Sequence, residues 1–151
     1  MDSIRDFEDM LELLERRKVQ YLIIGGLAFI FHAKPRYTKD MDIWIGPDPA
    51  NVRRANLTLA EFGSPLLLDA EQPGEILQLG FAPDRIDFFL RIEGAKFDTA
   101  WPRRVRARYG RVTANWIDLE TLLKVKARLD GPRHREDARV LRLVRERTRK
   151  E

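Results

Sequence analysis

Short apolar runs bounded by glycine, proline or charged residues recur along the chain and predict strands. The runs are rich in branched and aromatic residues, the side chains that strands favour. They are VQYLII (19–24), MDIWI (41–45), EILQLGF (75–81), RIDFFLRI (85–92), VRARYG (105–110) and RVTANWI (111–117). The middle pair predicts a hairpin through residues 82–84, and the last pair predicts a hairpin around Gly110.

Apolar residues spaced three to four apart predict helices between these strands. The first covers about residues 4–14, and the run LAFIFHA (27–33) predicts a short second helix that ends before Pro35. A third begins after Asp48, with Pro49 in its first turn, and stops at Gly63. Residues 95–101 predict a short helix or loop. Asp118 caps LETLLKVKARL (119–129), and a last helix runs from about residue 136 to 147.

Mixed strands and helices in this order predict an α+β fold, with a mixed β-sheet flanked by helices and further helices at the C-terminus. A length of 151 residues predicts one domain, residues 1–151. Because no apolar run has transmembrane length and charged residues interrupt the start of the chain, we expect no membrane span and no signal peptide. The expected location is the cytoplasm.

The net charge of +4 favours anionic partners such as nucleotides or RNA. Much of this charge lies in residues 133–150, which carry eight basic residues against three acidic ones. We interpret this segment as a solvated helix face with a frayed basic end, and the alternative is an electrostatic surface for nucleic acid or an acidic partner. The chain has no cysteine, so disulfides and thiolate metal sites are excluded.

The stretch TKDMDIWI (38–45) places two aspartates at the start of an otherwise apolar strand. Strand side chains alternate, so Asp40 and Asp42 share a face and lie about 6.6 Å apart along the backbone. Two like charges at this distance repel each other. A hard divalent cation would offset the repulsion, since Mg²⁺ prefers carboxylate oxygens. The alternative is an exposed strand end with two solvated aspartates.

Two further features strengthen the first interpretation. Gly25 and Gly26 lie at a strand-to-helix turn, where glycine allows close backbone approach and free N–H groups face an anion. Asp87 lies inside the apolar run RIDFFL, on the same strand face as Arg85 and Phe89. Three carboxylates, a glycine turn and nearby basic residues together predict phosphoryl or nucleotidyl transfer by a two-metal mechanism.

The order of these residues resembles the DNA polymerase β-type nucleotidyltransferase superfamily. The segment GGLAFIFHAKPRYTKDMDIWI (25–45) is most similar to the small AbiEii-like nucleotidyltransferases of toxin–antitoxin and phage-defence systems. A looser late segment, K…R-x-x-D, matches Lys124 or Lys126 with Arg133 or Arg135 and Asp137. The resemblance spans about residues 19–140 and implies a nucleotidyltransferase-like mixed sheet.

The resemblance also implies roles for single residues. Asp40, Asp42 and Asp87 would be catalytic and hold two Mg²⁺ or Mn²⁺ ions. The nucleotide-binding residues would be Gly25, Gly26, Arg36, Thr38, Lys39 and Lys126. The donor would be an NTP such as ATP. The acceptor would be a hydroxyl of RNA, such as a tRNA end, or of a protein, with a cognate toxin or antitoxin as a partner.

Two departures from the superfamily keep other functions open. Many members have serine after the first glycine, where its hydroxyl holds a terminal phosphate, whereas this chain has Gly26 followed by Leu27. The chain also lacks room for the additional helical domain of larger members. The alternatives are a catalytically weak nucleotide-binding or antitoxin-like module, and a basic nucleic-acid-binding domain whose carboxylates are incidental.

Three other side chains have plain structural interpretations. His32 is predicted to be a packed helix residue with a satisfied ring, and His134 is predicted to be solvated in a basic loop. Trp44 shares the strand face of Asp42, so it would either line the site or pack in the core.

Overall fold

A computed structural model of the chain describes residues 3–80 and 84–150, with side chains from residue 5 onward. Its elements are α1 (Ser3–Arg16), β1 (Tyr21–Ile24), α2 (Gly25–His32), β2 (Met41–Ile45), α3 (Pro49–Phe62), β3 (Ile76–Leu79), β4 (Ile86–Phe89), α4 (Phe97–Ala100), a 3-10 turn (Trp101–Arg103), β5 (Val105–Tyr109), β6 (Val112–Trp116), α5 (Leu119–Arg128) and α6 (Pro132–Lys150). None of the helices in this described part combines the length and the apolarity that a membrane crossing requires.

The strands form one mixed sheet in the order β3-β4-β2-β1-β6-β5. Strand β2 pairs antiparallel with β1 and parallel with β4, and both predicted hairpins are antiparallel pairs. All four residues of β1 are buried, and their side chains alternate between the two faces, so both faces of the sheet are covered. Helices α1 and α3 pack together, as do α2, α5 and α6. The predicted α+β class is confirmed.

The predicted helix boundaries are confirmed where a capping residue marks them. The Asp48 carboxylate accepts a hydrogen bond from the backbone N–H of Asn51 at the start of α3. Gly63 ends this helix with a φ of +101°, a conformation that only glycine adopts easily. Asp118 caps α5 by accepting from the backbone N–H of Thr121. Residues 82 and 83 of the predicted hairpin turn lie outside the described residues.

Helix α6 differs from its prediction. It begins at Pro132, about a turn before the predicted start, because proline fits the first helical position, and it continues to Lys150. The expectation that His134 lies in a loop was therefore wrong. Trp44 has an exposure of only 1% and packs edge-to-face on Phe97, with ring centroids 5.2 Å apart. Of its two interpretations, core packing is the one that the structure supports.

Candidate active site

The pairing of β2 with β4 brings the three predicted carboxylates together. Asp42 and Asp87 are direct partners in the parallel register, and neighbouring strands lie about 4.8 Å apart. Asp40 stands two residues earlier, at the point where the chain enters β2. Ile24, the last residue of β1, is the partner of Asp42 on the other side. The glycine turn that follows Ile24 therefore begins beside the carboxylates.

Close contacts leave no room for a side chain at either glycine of this turn. Gly25 has a φ of +68°, and a Cβ atom there would lie 3.0 Å from Cγ of Asp42 and closer still to its carboxylate oxygen. A Cβ atom on Gly26 would lie 2.7 Å from the hydroxyl oxygen of Thr38. Because α2 begins at Gly25, its first backbone N–H groups belong to the same turn. The turn therefore presents N–H donors beside Asp42, which faces Gly25, and Thr38, which faces Gly26.

Arg85 is part of the site, although the sequence assigned it no role. Its Nε lies 2.8 Å from Oδ1 of Asp87, and its Nη2 lies 3.1 Å from Oδ2 of Asp87 and 3.3 Å from Oδ2 of Asp40. The one available signal was its position two residues before Asp87, which places both side chains on one strand face. Arg85 therefore partly neutralises two of the three carboxylates.

Asp42 does not share in this neutralisation. No hydrogen bond or ion pair to its carboxylate is formed by the described residues. Burial, followed by the charges of Asp87 and Asp40, raises the pKa of Asp42 to about 6, while Arg85 and Lys126 act in the opposite direction. The charge repulsion predicted from the D-x-D spacing therefore opposes the ionisation of Asp42 in particular.

A second cluster of charges lies next to the carboxylates. Asp137 of α6 is almost fully buried, with Arg36 Nη1 2.7 Å from its Oδ1 and Lys126 Nζ 2.9 Å from its Oδ2. Burial opposes ionisation of Asp137, but the hydrogen bonds of Arg36 and Lys126 outweigh it and hold its pKa below the ordinary value. Arg36 also stacks on the Phe29 ring at 4.1 Å. The cluster fixes both basic side chains beside α2.

This cluster decides between the alternatives in the late segment. Lys126 is buried in it, whereas Lys124 is exposed on the opposite side of α5. Arg133 and Arg135 are exposed and form no ion pair with Asp137. The match to K…D is therefore Lys126 and Asp137, and the arginine bound to this aspartate is Arg36, about a hundred residues earlier in the chain.

Two predicted nucleotide-binding residues lie in the segment between α2 and β2. Thr38 is half-buried against Gly26, and Lys39 is exposed. His32 donates from Nε2 to the carbonyl oxygen of Ile117 over 2.6 Å, and burial lowers its pKa, so the prediction of a satisfied helix residue is confirmed. The His134 Nδ1 lies 3.5 Å from Nζ of Lys126.

Carboxylate oxygens that lack hydrogen-bond partners show whether the site fits a divalent cation. Oδ1 of Asp40 is buried and has no hydrogen-bond partner among the described residues. The half-buried carboxylate of Asp42 forms no hydrogen bond or ion pair with the described side chains. These two residues supply the hard oxygen donors that Mg²⁺ prefers, so they fit such an ion. Both oxygens of Asp87 are held by Arg85. Within residues 5–80 and 84–150, no three acidic or histidine side chains are already arranged around a common metal position.

Comparisons with known proteins agree on the fold. Neither a protein-family model nor a curated protein matches the sequence. Among solved structures, the lincosamide antibiotic adenylyltransferase LnuA with bound lincomycin has a TM-score of 0.61 and 17% identity, over 93% of this chain and 96% of that one. ANT(2")-Ia in complex with adenylyl-2"-tobramycin has a TM-score of 0.57 and 12% identity, over the full length of both chains. An antigenic nucleotidyltransferase-like protein from Paracoccidioides brasiliensis has a TM-score of 0.53 and 16% identity, over 95% of this chain and 76% of that one. The chain therefore has the fold of these nucleotidyltransferases.

Proposed function

We propose that this protein is a metal-dependent nucleotidyltransferase that moves a nucleoside monophosphate from an NTP to a hydroxyl group. The observation that carries the proposal is the state of Asp42. Its carboxylate is pressed against the Gly25 turn and faces two other carboxylates, yet it has no partner within the described residues. A purely structural aspartate would accept hydrogen bonds that offset its burial. A site for a cation and a phosphate requires a carboxylate that has no other partner and lies beside a glycine turn.

We propose that Asp40 and Asp42 hold the first Mg²⁺ or Mn²⁺ ion, and that Asp87 completes a second site once Arg85 moves aside. Bound ions would neutralise the triphosphate and stabilise charge at the α-phosphorus. Without them, Arg85 holds Asp40 and Asp87 in place and limits the repulsion among the carboxylates. Because Asp40 and Asp42 have oxygens without hydrogen-bond partners, we propose that the ion they hold binds first.

The triphosphate would lie on the glycine turn, where the N–H groups at the start of α2 suit an anion. The hydroxyl that many superfamily members provide from a serine after the first glycine is absent from Gly26. In this chain the Thr38 hydroxyl lies where a side chain at position 26 would begin. We infer that Thr38 supplies the missing phosphate contact from a different segment. Lys126 and Lys39 would add positive charge.

In the proposed reaction the acceptor oxygen attacks the α-phosphorus of the NTP. A new oxygen–phosphorus bond forms as the bond from the α-phosphorus to the bridging oxygen breaks, and pyrophosphate leaves. The hydroxyl proton would pass to the carboxylate of Asp87, which becomes available for this role once Arg85 moves aside. Asp137 would position Arg36 beside Lys126.

We propose an RNA end or a protein hydroxyl as the acceptor, within a toxin–antitoxin pair, on the basis of the AbiEii-like residue pattern. The fold neighbours add an alternative, since LnuA is an antibiotic adenylyltransferase and ANT(2")-Ia was captured with adenylyl-2"-tobramycin. Exposed cations around the site favour an anionic acceptor over a cationic antibiotic.

The test is incubation of the protein with Mg²⁺ and each α-³²P-labelled NTP, together with total RNA, a protein extract, an aminoglycoside or a lincosamide. The proposal expects label on one acceptor class with the wild type and with Asp130→Asn, which removes an exposed aspartate. It expects no label with Asp42→Asn. Transfer that survives Asp42→Asn would refute the assignment of the site.

A nucleotide-binding module without turnover is the second candidate, and the pairing of Arg85 with Asp87 favours it. If this ion pair keeps the second metal site closed, the wild type should bind Mg²⁺–NTP without transferring label. Arg85→Met should then leave NTP binding intact, which equilibrium dialysis can measure.

A further inference from the structure

An open pocket of about 280 Å³ lies near the start of β1, away from the carboxylates. Gln20, which lines it, comes directly before β1, and Gly25 comes directly after the strand. About 16 Å of extended chain therefore separates the pocket from the glycine turn. The side chains that give the pocket its chemical character are Glu15, Lys18, Trp101, Arg104, Arg106 and Asn115. This pocket is a different site from the candidate active site.

The acidic side chain of this pocket already has its partners. Glu15 Oε1 accepts a hydrogen bond from Arg106 Nη1 over 2.8 Å, and Glu15 Oε2 accepts one from the Tyr21 hydroxyl over 2.7 Å. Arg106 Nη1 also donates to Oδ1 of Asn115 over 2.8 Å. These bonds pair one charge of each sign. They also fix the Asn115 amide with its oxygen toward Arg106, which leaves its nitrogen for another partner.

Three side chains of the pocket keep donors that are not used. Asn115 is only 4% exposed, yet no hydrogen bond from its Nδ2 is formed within the described part of the chain. Lys18 and Arg104 form no ion pair with the residues that the structure describes. Arg104 is held in place, since it stacks on the Trp101 ring at 3.9 Å and donates to the Trp101 carbonyl oxygen over 2.9 Å. A buried amide donor without a partner, beside two unpaired cations, indicates a ligand with negatively charged acceptor oxygens.

The backbone at Lys18 supports this interpretation. Its φ is +57°, and every other positive φ among the described residues belongs to a glycine. The position ends α1, where the backbone N–H of Val19 donates to the carbonyl oxygen of Leu14 over 3.0 Å, and glycine is the usual residue at such a position. A lysine here adds a cation to the pocket at a cost in backbone strain, and strain of this kind is common at functional sites.

We propose that this pocket binds a small anion through a carboxylate or phosphate group. The planar donors of the Arg104 guanidinium match either group. The Asn115 amide would donate to one of its oxygens, and Lys18 would add positive charge. The volume lies just below the range of pockets for drug-sized ligands, which favours a small anion over a nucleotide. Because binding here needs neither NTP nor Mg²⁺, the site is independent of the proposed transfer reaction.

The experiment is a titration followed by two-dimensional ¹H–¹⁵N NMR, in EDTA and without NTP. The probes are inorganic phosphate and succinate, each exchanged for chloride at constant ionic strength, with glycerol as a neutral probe. We expect saturable shifts of the Asn115 side-chain amide and the Trp101 indole N–H. The expected Kd is about 1 mM or lower, an affinity that two or three hydrogen bonds to a charged group reach. A lower Kd for one anion assigns the preferred group, and equal values assign both.

Four variants locate the binding. Arg104→Met should raise the Kd about 10- to 100-fold, the loss expected for a hydrogen bond to a charged group. Asn115→Asp keeps an oxygen for Arg106 but replaces the free donor with a carboxylate, so it should abolish the shifts. Lys18→Gly should also raise the Kd, and its Tm should stay at or above that of the wild type because glycine relieves the positive φ. Arg53→Met, the matched control for Arg104→Met, removes an exposed arginine of α3 outside the pocket and should bind both probes like the wild type.

Three results would overturn the inference. The first is a set of shifts that does not saturate or that glycerol reproduces. The second is an equal Kd for Arg104→Met and Arg53→Met. The third is a saturable response at the glycine turn in place of Asn115 and Trp101, which would assign the anion to the candidate active site.

Discussion

Replacing Asp42 with asparagine should stabilise the metal-free protein at neutral and alkaline pH. Folding moves the pKa of this carboxyl from its ordinary value of 3.8 to about 6, chiefly through burial and then through the charges of Asp87 and Asp40. That difference corresponds to about 3 kcal/mol of electrostatic destabilisation when the group is ionised. Asparagine keeps the shape and removes the charge. Because its amide must fit the same crowded position, we expect a net gain of about 1–3 kcal/mol.

The sign of the pH dependence follows from the direction of the shift. A carboxyl with a raised pKa in the folded state binds more protons when folded than when unfolded. The wild type therefore loses stability as pH rises from 3.8 through 6, and the full penalty is present above pH 6. The advantage of Asp42→Asn should be largest near pH 8 and should disappear near pH 4.

The assay is thermal unfolding of both proteins in EDTA across this pH range. For a chain of this length, 1 kcal/mol shifts Tm by about 2–4 °C, so the variant should melt about 2–12 °C higher at pH 8. Asp130→Asn, which removes one exposed aspartate, controls for the change in net charge. Added Mg²⁺ should raise the Tm of the wild type more than that of Asp42→Asn. A variant that melts below the wild type at pH 8 would show that Asp42 stabilises the fold, and would refute this account of the site.

Three further predictions test the surroundings of the carboxylates. Gly25→Ala should cost more stability than Gly63→Ala in urea unfolding, since both have positive φ but a side chain meets nothing within 4 Å at Gly63; equal losses would contradict the close contact at the turn. Thr38→Ala should weaken Mg²⁺–NTP binding about 10- to 100-fold in a dialysis assay, the value of a hydrogen bond to a charged group. Adding Gly26→Ser to the Thr38→Ala protein should restore this binding, whereas Gly26→Ser alone should destabilise the protein. Asp137→Asn should destabilise the protein by about 3–5 kcal/mol because it leaves buried positive charge unpaired; a loss below about 1 kcal/mol in denaturant titration would mean that water already screens the cluster.

The sequence alone determined the elements and the faces on which they carry charge. Side-chain alternation was enough to place Asp40 and Asp42 on one face, and the capping residues Asp48 and Asp118 marked helix starts correctly. These signals are local, because a strand's period and a helix cap involve residues only two to four positions apart. The contribution of like charges to the raised pKa of Asp42 was also foreseeable from the D-x-D spacing, whereas its largest cause is burial, which packing decides.

The tertiary structure decided which charges meet. Spacing could not choose between Lys124 and Lys126, which lie on different faces of α5, and packing against Asp137 selects the second. Nor could it reveal that Arg85 spans two carboxylates, because that contact depends on the register of β2 against β4. Contacts of this kind join residues tens of positions apart, and their partners become definite only when the sheet and helices pack together.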